Sequence, residues 1–132
     1  VTRRLASARC SVEMEPQTLT AIVEDRIRKG NVFTVAKVAA IAAAKRTGEL
    51  IPLCHSLDPE HVDVRFTPEL KTGELIIHTT VAVTARTGAE MEALQAAAQA
   101  ALTIYDMCKA VDRGMRITKL GLIHKEGGKS GT

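Results

Sequence analysis

The amino-acid sequence predicts an α+β fold, with one antiparallel sheet and helices packed against a single face of it. Residues 61–67 and 75–85 alternate apolar with polar side chains and are separated by a turn at 68–73, which is typical of a β-hairpin. A long alanine-rich segment with helical spacing follows them. Further strand-like and helical segments flank this hairpin and this helix. Elements in this order pack as layers around one core.

The first half of the chain predicts one strand and two helices. Residues 9–14 are typical of a short strand, and Pro16 can begin a short helix that continues to residue 25. Apolar side chains at helical spacing over residues 32–45 predict a second helix, which we expect to end near Gly48. The following segment has a proline inside an apolar run, so we expect a buried, irregular loop up to residue 56.

The second half adds a long helix and a last strand to the hairpin. The helix covers roughly residues 89–111, and Thr87 followed by Glu90 matches the spacing of a capping box at its start. Gly114 ends the helix. Residues 115–124 then read as a strand. The order is strand, two helices, two strands, helix and strand, which fits a ferredoxin-like sandwich in a single domain.

Composition and charge narrow the classes of ligand. The 132 residues carry a net charge of +3, with a pI near 8.9, which is compatible with a phosphorylated ligand. Aromatic side chains are scarce, since the chain holds two Phe, one Tyr and no Trp. Proteins that bind single-stranded nucleic acid stack bases on aromatic side chains. We therefore predict a small-molecule ligand and no nucleic-acid partner.

Cysteine usage and hydropathy indicate a cytoplasmic protein. Cys10, Cys54 and Cys108 are odd in number and widely spaced, unlike a disulfide framework, which favours a reducing compartment. No apolar run approaches the ~20 residues that cross a bilayer, and the start shows no signal-peptide pattern. The chain begins with Val1 instead of Met, so we expect the natural N-terminus to extend further.

Cys54 and His55 lie at the end of the predicted loop. A histidine there can exchange protons near neutral pH, or it can be a core histidine bonded to the backbone. Adjacent Cys and His side chains also raise the question of zinc. Zinc sites need three or four ligands, and no further Cys or His lies at ligand spacing. We predict no metal and no cofactor.

Charged residues stand near both ends of the long helix. Glu90 has an alternative role in the capping box, whereas Glu92 has none. Asp106 and Lys109 have the spacing of a surface salt bridge, but their neighbours are apolar, which predicts partial burial and shifted pKa values. Glu92 and Asp106 are roughly 21 Å apart along the helix axis. One site that uses both ends therefore needs two copies of the chain.

Two basic segments resemble phosphate-binding elements. Lys29 ends the run Arg-Ile-Arg-Lys, and it is a phosphate clamp, a proton donor or part of a solvated basic turn. Residues 127–131 read Gly-Gly-Lys-Ser-Gly, which fails as a P-loop because Ile123 occupies the position of the first glycine. This segment is a flexible tail or one that folds over an anion.

Several motifs together resemble the cyclic pyranopterin monophosphate synthase family, known as MoaC, of molybdenum cofactor biosynthesis. The matching segments are Lys29-Gly-Asn-Val32, Lys45-Arg-Thr47, Leu50-Ile-Pro-Leu-Cys-His55, Thr87-Gly-Ala-Glu-Met-Glu-Ala-Leu94, Leu102-Thr-Ile-Tyr-Asp-Met-Cys-Lys-Ala110 and Gly127-Gly-Lys-Ser-Gly131. They span nearly the whole chain in order. Ser56 and Ala89 depart from the family, which usually has Pro and Val at these positions.

The resemblance implies an enzyme. It would be a lyase that rearranges 3′,8-cyclo-7,8-dihydroguanosine 5′-triphosphate to cyclic pyranopterin monophosphate and releases diphosphate. The resemblance also implies ferredoxin-like subunits in a homohexamer, a trimer of dimers with sites at subunit interfaces. Residues 1–132 would then be a single catalytic domain.

The resemblance also implies roles for individual residues. Asp106 matches the family's catalytic aspartate, Lys29 and Lys109 match lysines assigned to catalysis, and Glu90 matches a neighbouring acid. His55 is a further candidate for proton transfer. The residues implied in substrate binding are Leu53, Cys54, His55, Met91, Glu92, Arg4 and Lys129, and Arg46 is another cation that can hold the triphosphate.

Two other classes of function stay open at this point. A regulator on the same fold would bind a nucleotide tightly without turnover. A basic-surface RNA binder is the second, and the shortage of aromatic side chains argues against it.

Overall fold

A computed structural model describes residues 2–127 of the chain. Its elements, in chain order, are β1 (Thr2–Glu13), α1 (Pro16–Val23), α2 (Val32–Leu50), β2 (His61–Glu69), β3 (Glu74–Ala85), α3 (Glu90–Cys108) and β4 (Arg116–Glu126). This is the order that the sequence predicted. None of the described helices is long and apolar enough to cross a membrane.

The four strands form one antiparallel sheet in the order β2-β3-β1-β4. β1 pairs with both β3 and β4, so the first strand of the chain lies inside the sheet. α3 packs against β1, β3 and β4, and α2 packs against α3 and β2. The arrangement is an α+β sandwich of the ferredoxin-like kind, and it confirms the predicted fold class.

Alternation along β1 divides the sheet into two faces. Ala6, Ala8 and Cys10 are fully buried beneath the helices, because side chains two apart point to the same face of a strand. α3 meets them with small side chains of its own, the fully buried Ala93, Ala96, Ala97, Ala100 and Ala101. The opposite face of the sheet carries polar side chains such as Ser7 and His78 and is open.

β1 is longer than the sequence predicted. The prediction covered residues 9–14, whereas the strand begins at Thr2. The first half of the strand also alternates, but its inward-facing side chains at residues 6 and 8 are alanines. Their small size hides the apolar alternation that usually reveals a strand.

α2 continues past Gly48, so its predicted end is wrong. The helix ends at Leu50, and Ile51 adopts an extended backbone, as residues before a proline usually do. Gly48 instead permits a close approach, because a Cβ at this position would overlap the side chain of Ser56. The loop after α2 can therefore fold back against the helix that precedes it.

α3 begins without the predicted capping box. Its first residue is Glu90 and its N-cap is Ala89, with no side-chain hydrogen bond at the cap. Thr87 lies two residues before the N-cap and so cannot occupy that position. The Glu90 carboxylate folds back over Gly88, where a Cβ would overlap it. Glu90 therefore does not take part in the capping box that its spacing allowed.

A buried carboxylate ties the segment after α3 to the start of α1. Asp112 is 8% exposed, and its Oδ2 accepts hydrogen bonds from the Glu15 backbone N–H and the Thr18 hydroxyl, both at 2.9 Å. Its Oδ1 accepts from the Gly114 backbone N–H at 3.1 Å. The first N–H groups of a helix lack partners within it, so Asp112 acts as a distant cap for α1.

Candidate active site

Three charged side chains meet at the carboxyl end of α3. Lys29, from the loop between α1 and α2, places its Nζ 3.3 Å from Asp106 Oδ2 and donates to the Asp106 backbone carbonyl at 3.1 Å. Lys109 places its Nζ 3.1 Å from the other carboxylate oxygen. Gly30, with φ 132°, supplies the turn that follows Lys29, a conformation that favours glycine. We call Lys29, Asp106 and Lys109 the lysine–aspartate cluster.

The two ammonium groups control the charge of Asp106. Hydrogen bonds from Lys109 and then from Lys29 hold the pKa of this carboxyl below its usual range. The carboxylate is therefore ionised at neutral pH. Two ammonium groups and one carboxylate leave the lysine–aspartate cluster with a positive net charge, which attracts anions.

The lysine–aspartate cluster confirms one prediction and corrects another. Asp106 and Lys109 form the salt bridge that their spacing predicted, but their side chains are 60% and 55% exposed in the single chain, so the predicted partial burial is wrong. Their apolar neighbours Met107 and Cys108 point to the core from another face of the same helix. The contact between Lys29 and Asp106, which lie 77 residues apart in the sequence, was not predicted.

The two lysines of the lysine–aspartate cluster line an open cleft of about 490 Å³, which we call the lysine cleft. Lys29 and Lys109 share its wall with Tyr105, Ala110 and Arg113. The sequence had not assigned Tyr105 or Arg113 to the site. The signal for Tyr105 was present, because residues four apart on a helix share a face and Tyr105 precedes Lys109 by four.

A second cleft, of about 360 Å³, lies at the amino end of α3, and we call it the loop cleft. The loop after α2 contributes one wall and the residues that begin α3 contribute the other. The predicted site residues that line it are Leu53, Cys54, His55, Glu90 and Met91. The loop is irregular as predicted but not buried, since the side chain of Leu53 is 98% exposed.

The structure narrows the roles that the sequence left open for Cys54 and His55. Burial, and then the nearby charge of Glu92, raise the pKa of the Cys54 thiol, so the thiol stays protonated at neutral pH. A protonated thiol is a poor nucleophile, so this environment does not favour nucleophilic catalysis by Cys54. His55 is exposed at the loop cleft, so it is not a core histidine.

Glu92 is a buried carboxylate without a partner for its oxygens. The residue is 1% exposed, and neither Oε1 nor Oε2 has a hydrogen-bond partner within residues 2–127. Burial, and then the charge of Glu90, raise the pKa of the Glu92 carboxyl. A buried charge without a partner is costly, and taking up a proton lowers the cost. Glu92 therefore holds a proton at higher pH than an ordinary glutamate.

We expect Glu92→Gln to raise the thermal stability of the protein at pH 7 and to leave it unchanged toward pH 4. The pKa of Glu92 is higher in the folded than in the unfolded chain, so the folded state binds more protons and stability falls as pH rises from the ordinary pKa through the raised one. The amide of the glutamine variant cannot ionise, so the variant should not lose stability in this way as pH rises. Each kcal/mol recovered raises the unfolding midpoint by about 4 °C.

Thermal unfolding followed by circular dichroism from pH 4 to pH 7 measures this effect. Glu49→Gln is the matched control, because Glu49 is exposed and should leave the pH dependence unchanged. A Glu92→Gln protein whose midpoint follows pH as the wild type does would contradict the prediction.

The other predicted substrate contacts lie apart from the lysine–aspartate cluster. Arg4, on β1, donates from Nε to the carbonyl of Ala85 at 3.0 Å, two residues before Thr87 in the wall of the loop cleft. Arg46 lines a third cleft, together with residues of α2 and with Gln99. Lys129 lies outside the described residues, as does most of the glycine-rich tail.

Lys125 is a neighbour of the site that the sequence prediction missed. Its Nζ lies 3.9 Å from Glu90 Oε2. β4 pairs with β1 so that Lys125 stands opposite Ala6, on the side of the sheet that faces the helices. The predicted last strand ended at residue 124, so Lys125 was not expected to lie beside this site.

The candidate residues therefore fall into two groups at opposite ends of one helix. Glu90 and Lys109 are separated by roughly 28 Å along the axis of α3, at 1.5 Å per residue. Side chains of this length cannot meet across that gap. The candidate residues of one chain thus lie at two separate clefts, the loop cleft at one end of α3 and the lysine cleft at the other. We call them the two half-sites, after the prediction that one site uses both ends of this helix.

The described residues offer no obvious metal centre. Within residues 2–127, no three His, Cys, Asp or Glu side chains lie close enough together to hold a metal ion. Cys10, Cys54 and Cys108 are free cysteines, and Cys10 and Cys108 are buried.

Comparison with known proteins decides the family. A sequence model described as the MoaC family matches residues 1–128. The chain belongs to the MoaC family. It is 55% identical to the cyclic pyranopterin monophosphate synthase of Chloroflexus aurantiacus over 131 residues, which cover 99% of this chain and 80% of that protein. The match to the MoaC family covers both ends of α3 and therefore both half-sites.

Other relatives carry the same name. The cyclic pyranopterin monophosphate synthase of Rhodospirillum rubrum is 54% identical over 99% of this chain and 79% of its own length. That of Listeria monocytogenes is 53% identical, over 99% of this chain and 81% of its own length. Membership of the MoaC family therefore rests on nearly the full length of the chain.

Proposed function

We propose that this chain is a lyase of molybdenum cofactor biosynthesis. It rearranges 3′,8-cyclo-7,8-dihydroguanosine 5′-triphosphate to cyclic pyranopterin monophosphate and releases diphosphate. The observation that carries the proposal is the match to the MoaC family over both half-sites, with relatives near 55% identity that bear the name of this synthase. The two half-sites hold side chains suited to this chemistry.

Formation of a cyclic phosphate needs a base and cations at the same place. An oxygen nucleophile must lose its proton, and positive groups must stabilise the charge that grows on the phosphates. Asp106 is an ionised acceptor, and Lys29 and Lys109 are the cations beside it. We assign proton acceptance to Asp106 and stabilisation of phosphate charge to the two lysines.

Substrate binding strengthens Asp106 as a base in this scheme. The two lysines are the cause of its lowered pKa in the free protein. A bound phosphate competes for the same ammonium groups and draws them away from the carboxylate. The pKa of Asp106 then rises toward its ordinary value, and the carboxylate accepts a proton more readily.

Rearrangement of the ring system needs further proton transfers, which we assign to the loop cleft. His55 is exposed there, where an imidazole can serve as a proton donor or acceptor. Glu92 is buried and does not line this cleft, but its charge acts on Cys54 and its own pKa is raised. Glu90, at the start of α3, lines the cleft. The residues proposed to contact the substrate without exchanging protons are Leu53, Cys54 and Met91.

The complete site needs two subunits. Because the half-sites lie roughly 28 Å apart on α3, we propose that the lysine cleft of one subunit joins the loop cleft of its partner. The resemblance noted above gives the assembly as a homohexamer, a trimer of dimers of single-domain subunits. Arg4 would then hold the triphosphate from the partner's side, and the resemblance gives Lys129 as a further substrate-binding residue. The free cysteines support a reducing cytoplasm as the compartment.

Incubation of the purified protein with the cyclised triphosphate is expected to yield cyclic pyranopterin monophosphate and diphosphate in equal amounts. A coupled phosphate assay with inorganic pyrophosphatase measures the diphosphate, and mass spectrometry measures the pterin. GTP is the control substrate and should remain unchanged, because its ring has not been closed. Tight binding of the cyclised triphosphate without release of diphosphate would contradict the proposal and favour a non-catalytic regulator.

A further inference from the structure

We propose that Arg113 binds the polyphosphate group of the substrate in the lysine cleft, beside the lysine–aspartate cluster. The identity of the substrate rests on the proposed function. The anion-binding role of Arg113 follows from the charges and hydrogen bonds of the lysine cleft itself.

Among the residues that the structure describes, Arg113 is the cation of the lysine cleft that makes no hydrogen bond or ion pair. Lys29 and Lys109 both contact the carboxylate of Asp106, at 3.3 and 3.1 Å. Lys29 also donates to a backbone carbonyl at 3.1 Å. Arg113 is exposed and has no hydrogen bond or ion pair with any residue in the range 2–127. The five N–H donors of its guanidinium are therefore available to a ligand.

The charge of the lysine cleft calls for an anion of more than one negative charge. Lys29, Lys109 and Arg113 bring three positive charges, and Asp106 removes one of them. A guanidinium presents a planar fork that matches two oxygens of a phosphate, whereas an ammonium acts as a point charge. A volume of about 490 Å³ leaves room for a small-molecule group beside the cluster.

The backbone on both sides of Arg113 is held in place. Asp112 precedes it and is buried against α1, and Gly114 follows it and donates its backbone N–H to Asp112 at 3.1 Å. The same carboxylate caps α1, and the loop after α1 carries Lys29. The two walls that bear Lys29 and Arg113 are thus tied together before any ligand binds, which lowers the entropy that binding costs.

Arg113→Ala is expected to weaken the binding of inorganic triphosphate by about tenfold or more, which is typical of the loss of charge-assisted hydrogen bonds. Isothermal titration calorimetry on the full-length protein measures the affinity. The KM for the cyclised substrate should rise by a similar factor with a smaller change in kcat, as expected when a binding contact is lost. Arg116→Ala is the matched control, since Arg116 is exposed on β4 and does not line the lysine cleft.

Equal affinities of the wild type and Arg113→Ala for inorganic triphosphate would overturn the inference, as would a wild type with no measurable affinity. The calorimetry does not depend on turnover. A wild type that binds triphosphate through Arg113 but leaves the cyclised substrate unchanged would sustain the inference and refute the proposed function. Normal turnover of the cyclised substrate, together with an affinity for triphosphate that is the same in the wild type and in Arg113→Ala, would sustain the proposed function and refute the inference.

Discussion

Asp106→Asn is expected to lower kcat for the release of diphosphate by about a thousandfold, as the loss of a positioned base does. The amide keeps the size of the side chain, and its one oxygen can still accept a hydrogen bond from one of the two lysines, but it cannot take up a proton. The side chain is 60% exposed and packs in no core, so the fold should be unaffected. The coupled phosphate assay gives the rate, and circular dichroism verifies the fold.

The control for Asp106→Asn is Asp63→Asn. Asp63 also forms a salt bridge, with Arg65 at 2.9 Å, but it belongs to the open face of the sheet. Its replacement removes the same charge without touching either half-site, and it should leave kcat at the wild-type value. A wild-type rate in the Asp106→Asn protein would sink the role assigned to this carboxylate.

Mixing two inactive variants is expected to restore activity when their substitutions lie at opposite ends of α3. Asp106→Asn disables the lysine cleft, and His55→Ala disables the loop cleft. In a dimer of one subunit of each kind, one of the two shared sites receives an intact half from each subunit. Random pairing at equal amounts then gives about a quarter of the wild-type activity, because half of the dimers are mixed and each has one good site.

A second mixture provides the control for this recovery. Asp106→Asn and Lys109→Ala both disable the lysine cleft, so every site in their mixed dimers contains one defect and the mixture should stay inactive. Subunits are exchanged by mild denaturation and refolding, and mass spectrometry of differently tagged subunits verifies mixed oligomers. Verified oligomers of Asp106→Asn and His55→Ala that show no recovery would refute the shared site.

The order of the elements and the fold class were predictable because alternation and helical spacing are strong along β2, β3 and α3. The end of α2 and the start of β1 were predicted less well, because residues there also allow a neighbouring segment to pack closely. Glycine is typical of a helix end, yet Gly48 lies inside α2. Its lack of a side chain leaves room for Ser56 to pack against the helix. In β1 the inward-facing Ala6 and Ala8 suit the close approach of α3 and hide the alternation of the strand.

The candidate site was predictable in part for a different reason. The rise of an α-helix is fixed, so the sequence alone separated Glu92 from Asp106 and indicated two half-sites. The contact between Lys29 and Asp106 depends instead on how α1 docks at the end of α3, through hydrogen bonds to Asp112. Contacts between distant segments leave no spacing in the sequence. Arg113 was missed for the same reason.

The length of α3 determines both the distance and the relative rotation of the two half-sites that it carries. Each residue added to an α-helix moves one end by 1.5 Å and rotates it by about 100° relative to the other. A single insertion in the middle of α3 would leave every reactive side chain present, yet it would turn one half-site out of phase with the subunit that completes it in the proposed assembly. The exposed positions of α3 can vary in chemistry, whereas the number of residues between its two ends cannot.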